Sequence, residues 1–224
     1  MKKKLLALIL AGVLALSLAA CGGGSGAGDS APAGADAGTQ EPADSGNDAG
    51  TVYQVGISQY VTHDALDAAT KGFQDALNEL LPGQVKFDYQ NAANDPATCA
   101  TIATSFVSKN VDLIMANATP ALQAAAAATS DIPILGTSVT EYGVAFSIDN
   151  FSGTVGGNIS GTSDLAPLDQ QAEMIREWYP DAKNIGLLYC SNEANSQYQV
   201  DTVQRYLEDM GYTCTQFAFS DSND

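Results

Sequence analysis

Side chains that could carry out covalent chemistry are few in this 224-residue chain. The sequence has one histidine, His63, which rules out a two-histidine metal site and leaves little for a Ser–His–Asp triad. It contains no Gly-x-Ser-x-Gly elbow and no phosphate-binding loop. Gly153, Gly156 and Gly157 fail the dinucleotide-binding pattern, because they lie between predicted strands instead of opening a helix. The sequence therefore predicts no enzyme, no metal site and no cofactor.

The balance of charge excludes two classes of partner. Nine Lys and Arg stand against 26 Asp and Glu, a formal net charge of −17. Three of the basic residues are Lys2, Lys3 and Lys4; without them six remain against the same 26 acids, a net charge of −20. Six cations cannot form the stripe of phosphate contacts that nucleic acid needs, or a polybasic face for anionic lipid. We expect no nucleic acid partner.

Polar side chains follow the predicted strands, where ligands bind in open α/β sheets. They are Gln59 after the first strand, Thr119 after the third, Ser138 and Thr140 after the fourth, and Glu193, Asn195 and Ser196 after the strand ending at residue 190. Thr119, Asn195 and Ser196 also stand at predicted helix starts, where free N–H groups and the helix dipole favour a carboxylate. A plain alternative remains, because these three are common N-cap types and Gln59 could be an exposed loop residue.

The elements that must position these side chains alternate between strand and helix. Hydrophobic periodicity predicts strands at 52–58, 84–90, 111–116, 132–135, 145–148, 184–190 and 212–219, and helices at 64–81, from 96 onward, 120–129, 168–179 and 196–210. Thr62 and Asp95 are the predicted N-caps of the first two helices. Alternation at this spacing predicts parallel sheets with right-handed crossovers, an α/β fold.

Composition suggests the domain boundaries. Residues 51–150 form a predicted first α/β lobe, 151–163 a crossover or hinge rich in Gly and Ser, and 164–224 a partial second α/β lobe. We expect the second lobe to be incomplete, because about two strand–helix units cannot cover both faces of a sheet. Residues 21–50 contain no Val, Ile, Leu, Met or aromatic residue, so after Cys21 they are predicted to be a disordered Gly/Ala-rich tether.

The N-terminus has the layout of a secretory signal. Residues 1–20 contain three lysines, an apolar run of fourteen residues and small residues before Cys21. Leu-Ala-Ala-Cys at 18–21 resembles the lipobox of bacterial lipoproteins, which implies cleavage before Cys21 and a diacylglycerol thioether on its sulfur. A plain signal peptide and an uncleaved anchor are the alternatives. The lipobox predicts an extracytoplasmic protein anchored to the cell membrane by its N-terminal lipid.

Three further cysteines are predicted to be free, buried thiols. Cys190 closes one predicted strand and Cys214 opens the next. In neighbouring parallel strands they would lie roughly 15 Å apart at about 3.3 Å per residue. A disulfide needs Cα atoms within about 7 Å. Cys99 then has no partner either, since Cys21 is expected to be lipidated.

Seven segments carry a resemblance to a known family. They lie at 55–69 (VGISQYVTHDALDAA), 88–92 (DYQNA), 111–114 (VDLI), 118–121 (ATPA), 131–135 (DIPIL), 158–164 (NISGTSD) and 193–196 (EANS). In this order they resemble the ABC-transporter substrate-binding lipoproteins of the tryptophan/tyrosine-binding type, over nearly all of 52–224. The resemblance implies a periplasmic-binding-protein type I-like fold with two doubly wound parallel-sheet lobes. Family members run on for a hundred or more residues, which agrees with an incomplete second lobe.

The resemblance implies a solute-binding component of an ABC importer. Its ligand would be a small amino acid-like molecule, in several members an aromatic amino acid, held between the lobes and delivered to an ABC permease and its ATPase. Gln59 and Glu193 would then accept hydrogen bonds from the ammonium group, and the helix starts would hold the carboxylate. A ligand-sensing surface lipoprotein of the same fold and a secreted hydrolase are the alternatives.

One stretch departs from the family pattern. Where members continue with Asp-Pro after a threonine, this chain has Thr140-Glu141-Tyr142-Gly143. Glu141 keeps the acid, but the proline is replaced, so the local backbone and the side-chain specificity are expected to differ. Tyr142 could stack on a ligand ring or only pack at the rim.

Overall fold

The structure, a computed structural model, describes residues 50–220. The predicted signal peptide, Cys21 and the predicted tether up to residue 49 lie outside the described residues. Between residues 50 and 220, no helix combines the length and hydropathy needed to cross a membrane.

Strands and helices alternate through the described part of the chain. In order they are β1 (Tyr53–Gln59), α1 (Asp64–Leu80), β2 (Val85–Asn91), α2 (Pro96–Ser108), β3 (Leu113–Asn117), α3 (Thr119–Ala128), β4 (Ile134–Val139), α4 (Tyr142–Ala145), β5 (Ile159–Ser163), α5 (Leu168–Trp178), β6 (Asn184–Cys190), α6 (Ala194–Asp209) and β7 (Thr213–Phe219). This order confirms the predicted α/β class.

The first five strands form one parallel sheet in the order β2-β1-β3-β4-β5. Strand β1 lies between β2 and β3, with Ile57 opposite both Tyr89 and Met115. From β1, the sheet extends on one side to β2 and on the other side to β3, β4 and β5. Where the strand order turns like this, a crevice opens beyond the carboxyl ends of the central strands.

Alternate side chains of the central strands face two different helix layers. One layer contains Val55, Ile57 and Met115 packed against Phe73 and Leu77 of α1. On the opposite face Gly56 lies against Phe106 of α2, and a Cβ at residue 56 would come within 2.7 Å of that ring. Glycine at this position is therefore a packing requirement, because the ring fills the space that a side chain would take.

The first two helices begin at capped residues. Helix α1 is capped by His63, whose Nδ1 accepts a hydrogen bond from Ala65 N at 3.2 Å. The predicted cap, Thr62, is wrong, because its hydroxyl accepts instead from Asn91 Nδ2 at 3.2 Å. Asp95 caps α2 as predicted, accepting hydrogen bonds from two amides of the first turn.

Strands β6 and β7 form a second parallel sheet, and α6 packs on both of them. The other face is open to solvent. Leu188 and Phe217 are Cα partners on that face and are 75% and 55% exposed. In the described residues the second lobe thus has a helix layer on one side only.

The register of this second sheet separates its two cysteines. Cys190 pairs with Phe219, whereas Cys214 pairs with Ile185 at the opposite end. Both are free, as is Cys99, which confirms that no disulfide joins them in the described residues. Cys99 is fully buried, and the other two are partly buried.

Two expectations for residues 145–163 are corrected by the structure. The strand predicted at 145–148 is wrong: α4 ends at Ala145, and Glu141 starts that helix by accepting a hydrogen bond from Val144 N at 2.6 Å. Residues 159–163, expected within the crossover, form β5 on the edge of the first sheet. Their Gly- and Ser-rich sequence carries no strand periodicity, so this strand depends on pairing with β4.

Candidate functional site

The carboxyl ends of β1, β3 and β4 meet at one edge of the first sheet. Backbone bonds continue past the strands: Tyr60 N donates to Asn117 O at 3.1 Å, and Ala118 N donates to Thr137 O at 3.0 Å. The strand-end edge, as we name it, consists of Tyr60, Asn117, Thr119 and Ser138. It lies at the turn of the strand order, where a ligand crevice is expected.

Gln59 ends β1, but its side chain is used inside the first lobe. It is fully buried, and its Nε2 donates to Val61 O at 2.9 Å and Asp67 Oδ1 at 2.5 Å. Its Oε1 accepts from Thr70 Oγ1 at 2.7 Å. An ammonium group could reach the amide only by breaking these buried bonds, so the structure does not bring Gln59 into the strand-end edge.

Asn117 belongs to the same buried network and was missed by sequence reasoning. Its Nδ2 donates to Leu66 O at 2.8 Å and to Thr70 Oγ1 at 2.9 Å. Its Oδ1 is buried without a hydrogen-bond partner in the structure. The available signal was an asparagine that closes an apolar strand, directly before Ala-Thr-Pro.

Thr119 begins α3 with its hydroxyl unpartnered. Thr119 is 2% exposed and Ser58 is 1% exposed, and neither hydroxyl has a hydrogen-bond partner in the structure. Ala118, with φ 91°, turns the chain sharply from β3 into α3. A buried polar group without a partner costs about 1–3 kcal/mol. Both hydroxyls therefore have an unused donor and acceptor, and that of Thr119 lies at the start of α3.

The two predicted residues of the fourth strand have different surroundings. Ser138 is partly buried, has φ 53°, and follows the pairing of Thr137 with Asn117. Thr140 is buried, and its carbonyl accepts from Ser163 Oγ at 2.6 Å. Ser138 thus joins the strand-end edge, while Thr140 helps to bind β4 to β5.

Tyr142 is a buried residue of the first lobe. It is 7% exposed, and its hydroxyl donates to Gly136 O at 3.1 Å and Thr162 O at 3.3 Å. Of the two roles suggested by the sequence, stacking on a ligand ring is therefore not supported. The ring packs inside the lobe, between α4 and the neighbouring strands.

The start of α6 groups three predicted residues. Glu193 is the N-cap but makes no side-chain capping bond, and Asn195 Oδ1 is buried without a hydrogen-bond partner. Ser196 Oγ accepts from Cys190 N at 3.1 Å. Asn195 and Ser196 are the second and third residues of the helix, so neither is its N-cap. Two side-chain acceptors, on Glu193 and Asn195, remain at this end of the second lobe.

Tyr60 connects the strand-end edge with the second lobe. It is buried, and its hydroxyl donates to Asn94 O at 3.3 Å. Burial raises the pKa of Tyr60 to about 12, and the negative charge of Glu193 is the next largest cause. Because a charge shifts a neighbour's pKa only at short range, Glu193 lies near Tyr60. Glu193, at the start of α6, is therefore an acidic residue of the second lobe whose charge acts on Tyr60.

A cavity of about 520 Å³ lies between the α4 segment and α6. Its lining residues are Glu141, Gly143, Val144, Ser147, Ile148, Asp149, Phe151 and Tyr198. The volume is typical of small-molecule pockets, which span about 300–1,000 Å³. None of the residues predicted from the sequence lines this cavity, because its walls come from the segment misassigned as a strand and from the middle of a helix.

Comparison with known proteins assigns a family to this arrangement. The family described as ABC transporter substrate binding protein matches residues 54–224. A curated tyrosine-binding protein from Clostridioides difficile (strain R20291) is 40% identical over 229 residues. The match takes in 99% of this chain and 62% of that protein, so the chain spans less than two thirds of the relative's length.

Two solved structures, one with a bound amino acid and one without ligand, resemble the chain. The ABC domain in complex with L-Trp from Streptococcus pneumoniae is 37% identical with a TM-score of 0.72, covering 77% of this chain and 59% of that one. The ligand-free, open structure of a substrate binding protein with adhesive properties from Clostridium difficile is 39% identical with a TM-score of 0.58, at the same coverage.

These matches confirm the periplasmic-binding-protein type I-like fold, with the second lobe represented in part. The family assignment agrees with the fold, in which a five-stranded and a two-stranded parallel sheet follow one another along the chain. The chain belongs to the family of ABC transporter substrate binding proteins.

Proposed function

We propose that this protein is the extracytoplasmic solute-binding component of an ABC importer and that its ligand is an aromatic amino acid, tyrosine or tryptophan. The observation that carries the proposal is the unpartnered buried hydroxyl of Thr119 at the start of α3. The ligand class is supported by the relatives, one named as tyrosine-binding and one solved with L-Trp. The protein performs no catalysis in this proposal.

The first lobe would hold the ligand carboxylate. Thr119 Oγ1 can donate a hydrogen bond, and it stands in the first turn of a ten-residue helix whose dipole favours an anion. Ser58 offers a second hydroxyl close to the end of β1. Ser196 stays a candidate contact from the second lobe, since its own hydroxyl hydrogen is not used in the bond it accepts from Cys190.

The second lobe would hold the ammonium group. Glu193 supplies a carboxylate without a capping bond, and Asn195 supplies an unpartnered carbonyl oxygen. Both are acceptors, which an ammonium group requires. A ligand held in this way makes contacts to both lobes only when they face each other closely, so its binding energy favours the closed arrangement.

Calorimetry on the full-length, tag-free mature protein with the twenty amino acids tests the proposal. Tyrosine or tryptophan is expected to give heat. Tyramine, which lacks the carboxylate, and N-acetyltyrosine, which lacks the charged amine, should each bind at least about tenfold more weakly, since each forfeits a charge-assisted hydrogen bond. If none of the twenty amino acids gives heat, the amino acid assignment is wrong.

Replacing Glu193 with Gln tests the ammonium contact. It removes the negative charge while keeping the size of the side chain, and we expect Kd to rise about tenfold. The control is Glu173→Gln on α5, which makes the same charge change at an exposed residue paired with Arg176. Equal affinities in the two variants would exclude Glu193 from the site.

The membrane attachment is part of the same proposal. Delivery to a permease is favoured by a protein held at the membrane, and Cys21 is the predicted site of lipidation. Replacing Cys21 with Ser should abolish incorporation of labelled palmitate and release the protein from the membrane fraction. Continued labelling of the variant would show that another residue is acylated.

A further inference from the structure

The pairing of β4 with β5 contains a bulge. Gly136 pairs with Gly161, and the next pair is Val139 with Ser163. Three steps along β4 therefore match two steps along β5, so β4 carries one extra residue. A bulge of this kind interrupts the hydrogen-bond ladder and re-aims the side chains beside it.

The hydroxyl of Tyr142 occupies the notch that the bulge creates. It donates to Gly136 O on β4 at 3.1 Å and to Thr162 O on β5 at 3.3 Å. A Cβ on Gly136 or on Gly161 would overlap with this same hydroxyl oxygen. Because Gly136 and Gly161 lack a Cβ, the hydroxyl oxygen of Tyr142 fits between them. It contacts one carbonyl oxygen on each of the two strands.

The bulge is connected to the strand-end edge by two backbone features. Ser138, within the bulge, has φ 53°, a conformation that residues with a Cβ adopt at a cost. Thr137, beside it, accepts a hydrogen bond at 3.0 Å from the amide of Ala118, the residue before Thr119. The geometry of the bulge therefore determines where Ser138 points and how the turn into α3 is held.

We infer that Tyr142 is a positioning residue for ligand binding: its hydroxyl fixes the β4 bulge, and through it Ser138 and the Ala118–Thr119 turn. This inference rests on the proposed function, because it treats Thr119 as a carboxylate contact and Ser138 as a candidate contact beside it. Tyr142 itself touches no ligand in this arrangement. Its burial and its two carbonyl partners place it behind the strand-end edge.

The hydroxyl keeps its proton over the whole physiological range. Burial raises the pKa of Tyr142 to about 12, and the negative charge of Asp164 adds to the shift. The group therefore keeps its single donor hydrogen throughout, and the carbonyl oxygens of Gly136 and Thr162 share it. Replacement by phenylalanine removes this donor and leaves the ring in place.

The test compares Tyr142→Phe with Ile102→Val, a truncation in the buried face of α2 away from the bulge. Both variants should melt at a lower temperature than the wild type. At a temperature where both remain folded, only Tyr142→Phe should raise Kd for tyrosine or tryptophan, by at least about fivefold, as expected for the loss of one hydrogen bond. A Kd within about twofold of the wild type overturns the inference.

A second variant tests the notch itself. Gly136→Ala in the wild type should displace the hydroxyl and raise Kd to the level of Tyr142→Phe. In the Tyr142→Phe background the same alanine meets no hydroxyl, so its added effect on Kd should be small. Equal effects of Gly136→Ala in both backgrounds would mean that the alanine acts through the ring carbon Cζ of residue 142 or through Leu122 and not through the hydroxyl, and would overturn the inference.

A readout without ligand separates this inference from the proposed function. The amide of Ala118 should exchange with solvent faster in Tyr142→Phe than in Ile102→Val, because its acceptor, Thr137 O, lies beside the bulge. Unchanged exchange at Ala118 contradicts the inference even if the wild type binds no amino acid. Failure of the wild type to bind, with faster exchange in the variant, contradicts the proposed function alone.

Discussion

Thr70 and Thr119 are both buried threonines, but only the hydroxyl of Thr70 is hydrogen-bonded within the protein. Thr70 Oγ1 donates to Gln59 Oε1 and accepts from Asn117 Nδ2, which joins two strand ends to α1. Thr119 Oγ1 has no partner in the structure. A buried hydroxyl that is satisfied within the protein stabilises the fold, whereas one left unsatisfied is a cost that a ligand can offset.

Thr119→Val should therefore weaken binding without weakening the fold. Valine has nearly the same shape and removes a buried polar atom, so the free energy of unfolding should stay constant or rise by up to about 1 kcal/mol. Kd for the amino acid should rise about tenfold. Calorimetry and urea denaturation measure the two effects, and a loss of stability without a change in Kd would assign Thr119 to the fold.

Thr70→Val is the matched control and should behave in the opposite way. It leaves Gln59 Oε1 without its donor and takes one of the two acceptors used by Asn117 Nδ2. The free energy of unfolding should fall by about 1–3 kcal/mol. If Thr70→Val unfolds at the same urea concentration as the wild type, the buried network contributes little.

Among the elements, the connection from β3 to α3 stands out for its backbone conformation. Ala118 has φ 91° and ψ 157°, a region that only glycine adopts without strain. The turn is short, because β3 ends at Asn117 and α3 begins at Thr119. With this conformation at Ala118, the chain passes from strand to helix within one residue, and Thr119 becomes the first residue of α3.

Ala118→Gly should stabilise the protein. Glycine relieves a strain of about 1–3 kcal/mol, which exceeds the roughly 0.5–1 kcal/mol that its greater freedom in the unfolded chain costs. Ala100→Gly, at an exposed position inside α2, should instead lose about 1 kcal/mol. Urea denaturation compares the two, and equal losses would show that the turn is not strained.

Helices and central strands could be predicted because their pattern is local. The apolar stripe that contains Phe73 and Leu77 defines α1, and the continuous apolar run of β3 fits a strand buried on both faces. Strand β5 could not be predicted, since its Gly, Ser and Thr residues form a strand only through pairing with β4. Residues 145–148 are mostly apolar and were predicted as a strand. Glu141 instead caps the short helix α4, which ends at Ala145.

The sequence predicts where the candidate site lies in the fold, but it does not identify which side chains point into it. The rule that ligands lie beyond the carboxyl ends of strands points to the edge that holds Thr119 and Ser138, and both stay predicted site residues. It does not say which face a side chain takes, and so Gln59 was expected in the crevice although it points toward α1. The same rule does not identify Asn117 at the end of β3, because the sequence does not show that its side chain turns toward α1.

For the molecule as a whole, buried ionisable groups predict a loss of stability in alkali. Burial raises the pKa of Cys99 from 9.0 to about 11, and those of Tyr60 and Tyr142 from 10.0 to about 12. Between each pair of values the unfolded chain has released a proton that the folded chain still binds. Stability therefore falls as the pH rises through this range.

Urea denaturation between pH 8 and pH 12 tests this expectation. The midpoint should decline from about pH 9, where unfolded Cys99 begins to ionise, and more steeply above about pH 10. Cys99→Ala should make the first part of the decline shallower, leaving there the smaller contribution of Cys214, whose pKa burial also raises. An identical decline in the variant would mean that the thiol is not the source of the first phase.

The open face of the second sheet also affects how the molecule fluctuates. The exposed pair Leu188 and Phe217 contributes little buried area, so the hydrogen bonds between β6 and β7 are protected mainly by α6 on the other side. Those bonds can open without unfolding the first sheet, where Ile57 and Ile114 are covered on both faces. Within the described residues, the backbone amides of β6 and β7 should therefore exchange with solvent faster than those of β1 and β3.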